Sequence, residues 1–172
     1  MRKKRFIAHV TTVFTTAAAS AVTWTSVMDI SSARCIGDSD NLILDKDKRL
    51  ISATYGEHST AAFKTYLSAI REVRNACAHG NVMFGLRLSF GISTGIACPS
   101  LKPGTNQSLN GALRVINHMI RQISVIRAND MLDELFRATA RLYSKVPDTD
   151  IRSMIEKETG IIVAATCTLK KI

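Results

Sequence analysis

Arg74, Asn75 and His79 stand within six positions of one another in EVRNACAHGN (72–81), immediately before Gly80. Imidazole titrates nearer neutral pH than any other side chain and suits proton transfer. A guanidinium offers two parallel N–H donors to a phosphate, and a carboxamide can orient either group. The three residue types together could act on a phosphodiester. They equally suit the end of a basic helix. Histidine is favoured there by the helix dipole, and a buried arginine would have to pair, with Glu72 of a neighbouring copy or with Asp130 or Asp133 of a later helix.

The element that must position them is the clearest helix in the chain, 57–80. Ser59 or Thr60 can cap it, and Phe63, Tyr66, Leu67, Ile70, Val73 and Cys77 recur at helical spacing. Gly80 supplies the left-handed residue that commonly ends a helix. At about 100° per residue the apolar stripe centres near Ile70, with Arg74 close to it. Asn75 and His79 share a polar flank with Arg71. Arg74 and His79 diverge by roughly 140°, so one ideal helix does not point them at the same atom.

Around this helix the pattern is nearly all helical. A segment over 44–56 has Asp45 as N-cap, Leu50 and Ile51 as buried contacts and Gly56 as a stop. Residues 81–107, rich in Gly and Pro, read as a long loop, and their glycines fit neither a phosphate-cradling loop nor a dinucleotide fingerprint. Helical periodicity returns over 108–127, with Leu109, Leu113, Ile116, Ile120, Ile123 and Ile126 as the stripe. It resumes over 130–144, where Leu132, Leu135, Phe136, Thr139, Leu142 and Tyr143 face inward, and over 148–160, ending at Gly160. Residues 161–169 fit a strand or a frayed tail equally. An all-α bundle is what these patterns require.

With 172 residues there is room for one compact domain. Lys and Arg number 23 against 14 Asp and Glu, and the excess is shared by both halves, so a basic tail does not explain it. That balance suits a polyanionic partner, or simply a basic soluble surface. Cys35, Cys77, Cys98 and Cys167 form no closely spaced pair, which argues against a zinc site or a disulfide framework and for a reducing cytosol. Cys77 reads as a small core residue. MRKKRFIAHVTTVFTTAAASAV at the amino terminus resembles a secretory signal, but His9 and the threonines dilute its apolar run. It is also too polar to span a bilayer. As a secreted cationic protein the chain would be processed near Ala21.

The segment 68–88, SAIREVRNACAHGNVMFGLRL, resembles the most recognisable part of the Abi-like (abortive infection) proteins, members of the HEPN superfamily. Their signature is an Arg, a polar residue that is often Asn, a short spacer and a His. Arg74, Asn75 and His79 match it in order and spacing. Residues 45–56, 109–124 and 129–143 resemble the flanking helices, so the likeness covers roughly 40–145. Family members are usually longer, which makes residues 1–40 the remnant of their N-terminal region, 41–160 the HEPN-like helical bundle and 161–172 a tail.

The resemblance implies a metal-independent ribonuclease of phage defence, cytoplasmic and without cofactor. The ribose 2′-hydroxyl would attack the adjacent phosphate, leaving a 2′,3′-cyclic phosphate and a 5′-hydroxyl. His79 would move the proton, Arg74 would hold the phosphate and Asn75 would orient His79 or the phosphate. A homodimer, with two motifs facing one cleft, would resolve the divergence of Arg74 and His79. Arg71 is the best auxiliary phosphate contact. Arg114, Asn117 and Arg121 could track an RNA backbone, or form a solvated face. His118 reads as surface, His9 and His58 have no evident partners, and Trp24 reads as core. The competing reading is a helical module that dimerises or binds RNA without cutting it.

Overall fold

A computed structural model describes residues 44–79, 81–99, 105–146 and 148–161. The amino-terminal expectations (the remnant segment, the secretory resemblance, Trp24 in the core), the left-handed Gly80, and the tail after Ile161 fall outside these residues. The described chain is an all-α bundle of five helices: α1 (Asp45–Thr54), α2 (Thr60–Ala78), α3 (Leu109–Ile123), α4 (Val125–Ser144) and α5 (Thr149–Thr159). α3 is central and packs against α2 and α4, while α1 lies on α2.

Serine and aspartate caps set most of the helix starts. Ser59, Ser108 and Ser124 each accept a backbone N–H from three residues on, at 3.2, 3.3 and 3.4 Å. Asp148 accepts from Asp150 and Ile151 at the head of α5, and Gly160 closes that helix at φ 69°. Replacing Asp148 with alanine is expected to cost about 1 kcal/mol of stability, read as a lower urea midpoint, with asparagine retaining most of it. α1 differs from expectation: Leu44 occupies the cap position without a side-chain bond and Asp45 is already helical.

Tyr66, Val73, Leu109, Val115, Ile116 and Met119 are fully buried, each large aliphatic side chain contributing about 1.5–3 kcal/mol. Three alanines of α2, Ala62, Ala69 and Ala76, are buried as well. They draw the buried arc toward Tyr66 and Val73, away from Ile70. Arg74, about 100° around from Val73, therefore sits in solvent rather than beside the stripe.

Two further expectations are corrected. The periodic run 108–127 is not one helix: Ser124 is extended (φ −153°, ψ 110°), and α4 begins at Val125 rather than residue 130. Ile123 and Ile126, placed in the stripe by spacing, are exposed, Ile126 by 74%. Leu50 is likewise 69% exposed.

The long loop is a strap laid back along α2, with no helix among its described residues. Ser89 gives its N–H and hydroxyl to Glu72, the Ser93 N–H reaches Thr65 at 3.1 Å, and the Ile96 N–H reaches Glu57 at 3.1 Å. Successive contacts thus descend α2 from its C-terminal toward its N-terminal end. The strap also pairs with its own return: Arg87 bridges Ser108, and Leu88 and Ile92 donate to Gln107 and Asn106. Met83, Leu88, Ile92 and Cys98 turn inward, so the segment completes the core.

Candidate functional site

The end of α2 is built by its own backbone. The His79 N–H bonds to the Asn75 carbonyl at 3.0 Å, and the Asn81 N–H reaches back to Ala76 at 2.8 Å. That last bond spans the turn as in a Schellman closure, satisfying a carbonyl that would otherwise be left open. Met83, fully buried, fills the space beneath, with its sulfur 3.8 Å from the Cys77 thiol. The chain direction after the helix is therefore held by packing.

Arg71, Arg74, Asn75 and His79 are all exposed on this end. An Arg74 terminal N–H donates to the Asn75 side-chain oxygen at 3.3 Å. Asn75 thus faces Arg74, and the His79 imidazole has no hydrogen bond among the described residues. Glu72, considered as a partner of Arg74, is instead engaged by Ser89. The result is a guanidinium with a carboxamide beside it and an imidazole at the cap, all open to solvent. Such a surface can receive a phosphodiester.

Arg114 and Arg121 lie elsewhere. They line a cleft of about 280 Å³ between α3, the 96–99 turn and α4, whose wall includes none of Arg71, Arg74, Asn75 or His79. Both are half-buried. Arg114 donates to the Asn110 carboxamide oxygen at 3.4 Å, while the Asn110 amide reaches the Gly160 carbonyl at 2.7 Å. Asn117 bonds to the Ala128 carbonyl at 2.8 Å and ties α3 to the first turn of α4.

His118 is also on this wall and is not a surface residue. Its Nε2 lies 2.9 Å from the Tyr55 carbonyl. A carbonyl only accepts, so Nε2 carries the proton. The link between α1 and α2 crosses the face of α3 opposite Leu113 and Ile116, which is why the helical wheel misplaced this histidine. The sequence did carry the signal: Asn110, Arg114, Asn117, His118 and Arg121 fall on one polar arc beside the apolar one.

A buried polar knot at the other end of α2 has no counterpart in the pattern reading. Glu57, 4% exposed, accepts N–H groups from Ser59 at 3.1 Å and from Ile96 at 3.1 Å. Burial alone would raise its carboxyl, but the backbone donors outweigh that and hold it below the ordinary 4.5. Its contribution to stability is present above about pH 4.5 and is lost as pH falls through the depressed folded value. The urea midpoint is expected to drop on acidification below that range, and Glu57→Gln to remove this part of the dependence.

The Tyr66 hydroxyl lies beside this carboxylate, buried and without a hydrogen bond of standard geometry. Burial, then the Glu57 charge, pushes its ionisation upward, so it stays a neutral phenol.

The described cysteines are poor nucleophiles. Burial raises the Cys77 thiol, and it pushes Cys98 up to about 11 against the opposing pull of Arg114. Among the described residues no group of three His, Cys, Asp or Glu side chains is placed to hold a metal ion. No described helix is long and apolar enough to cross a membrane. Comparisons with protein-family models, with curated proteins and with solved structures find no match to this chain.

Proposed function

We propose that this chain is an Abi-like, HEPN-type endoribonuclease of phage defence that cuts RNA in the cytoplasm as a homodimer, without a metal ion. One observation carries the reading: Arg74, Asn75 and His79 share an exposed helix end, with Arg74 already bonded to Asn75 and the imidazole uncommitted. Arg74 would take two phosphate oxygens, and Arg71, one turn earlier, a neighbouring phosphate. His79 would remove the 2′-hydroxyl proton while the 2′-oxygen attacks phosphorus. The 5′-oxygen leaves with a proton from the second copy's histidine. Two copies joined at this end would convert two open surfaces into one groove. The net charge of +9 favours binding of the polyanion.

One observation favours the non-catalytic helical module instead: Asn75 turns toward Arg74, so nothing among the described residues orients His79. Labelled RNA incubated with the purified chain in excess EDTA separates the two. EDTA-resistant cleavage leaving 2′,3′-cyclic phosphate ends, from a species of twice the chain mass, supports the enzyme. Binding without cleavage supports the module.

A further inference from the structure

The geometry points to a second binding site, independent of the helix end: the cleft over α3 takes a small organic anion with an aliphatic body, such as a medium-chain carboxylate. The wall has two chemistries. Leu113, Leu132, Leu135 and Ile161 supply an apolar surface, while Arg114 and Arg121 bring the positive charge. Among the described residues no Asp or Glu lines the cleft. Two guanidinium charges on a partly enclosed apolar surface attract an anion, and the apolar surface is best covered by the body of the same ligand.

The polar groups argue against a nucleobase. Reading a base edge needs donors and acceptors with capacity to spare. Here the Asn110 amide is bonded to Gly160, the Asn117 amide to Ala128, and His118 to Tyr55, which leaves the exposed Gln122 as the one uncommitted carboxamide among the described lining residues. These bonds fix the wall and place Arg114 through Asn110; they do not address a ligand edge. Among its described residues the wall carries no Phe, Tyr or Trp on which a base would stack. What remains is charge and aliphatic surface, with the Gln122 amide at one side.

The volume sets the size. At about 30 Å³ per water in the liquid, the cleft equals about nine waters, so a ligand of about ten heavy atoms fits. Octanoate has that size and that division into head and body.

Calorimetric titration of the full chain with octanoate, octanamide, adenosine monophosphate and inorganic phosphate tests the assignment. Octanoate is expected to bind at least about tenfold more tightly than octanamide, since a hydrogen-bonded charge is worth that factor or more. Arg121→Met is expected to weaken octanoate about tenfold and leave octanamide unchanged. Ala97→Leu, which adds bulk to the wall, is expected to abolish both. Equal binding of octanoate and octanamide overturns the anion assignment. Tighter binding of adenosine monophosphate or phosphate than of octanoate, lost in Arg121→Met, overturns the ligand class. No heat at millimolar octanoate overturns the site. Should Ala97→Leu fail to fold, Arg121→Glu, a half-buried position at the cleft edge, provides the same decision.

Discussion

Replacing His79 with alanine is expected to lower EDTA-resistant RNA cleavage by roughly 10²–10⁴-fold, the range over which a positioned proton-transfer group acts. Arg74→Ala is expected to cost on the order of 10²–10³-fold, because it removes the charge facing the developing transition state. Arg74→Lys should recover little, since an ammonium cannot present two parallel donors. The controls are favourable because both side chains are exposed. Neither substitution should move the unfolding midpoint by more than about 0.5 kcal/mol equivalent. Asn75→Ala, which releases Arg74 from its 3.3 Å contact, should cost less than either. Cleavage at the parent rate in both the His79 and Arg74 variants would end the nuclease reading, and the helix end would stand as a basic surface.

Gly95→Ala is expected to be the most damaging single methyl that can be added to the described strap. A Cβ at this position would run into the Tyr66 hydroxyl and the Glu57 carboxylate. Neither neighbour can yield easily. Tyr66 is fully buried, and Glu57 is held by the Ser59 and Ile96 N–H groups. The backbone is also confined, because Gly95 and Cys98 exchange N–H to carbonyl bonds at 3.1 and 3.4 Å. Overpacking costs about 1–3 kcal/mol. Loss of a hydrogen bond to a charged group adds about 1.5–3 kcal/mol. A loss of about 3–5 kcal/mol is therefore expected, read as a large fall in the urea midpoint. Tyr66→Phe in the same chain should recover part of it, since it removes the hydroxyl that the added methyl would meet. If Gly95→Ala unfolds at the parent midpoint, the strap is not packed as described.

The strap and the helix end are linked. Glu72, two and three residues before Arg74 and Asn75, is the acceptor for Ser89. Loosening the strap at Gly95 thus frees the contact chain that runs from Glu57 through Thr65 to Glu72. The end of α2 is exposed in its side chains but anchored by Met83 and by this chain of bonds.

Sequence alone determined that the chain is helical and roughly where the helices run, because those signals are local. Ser59 and Asp148 cap from one side chain to the nearest N–H groups, Gly56 and Gly160 stop helices by adopting positive φ, and apolar residues at helical spacing mark α2, α3 and α4. The Arg74, Asn75 and His79 cluster was legible for the same reason: it lies within one turn and a half of a single helix. Tertiary structure decided everything that depends on what covers a face. Spacing carries the stripe of α3 on through Ile123 and Ile126, yet the helix breaks at Ser124, whose hydroxyl caps the Arg127 N–H, and both isoleucines are left exposed. His118 lies on the polar arc of α3, yet the α1–α2 link passes over it. Arg114 and Arg121 follow the spacing of a solvated face, but α4 and the strap close around them and make a cleft. Periodicity reports which side of a helix is apolar; only the packed chain shows which polar side another element has reached, because that contact joins residues far apart in sequence.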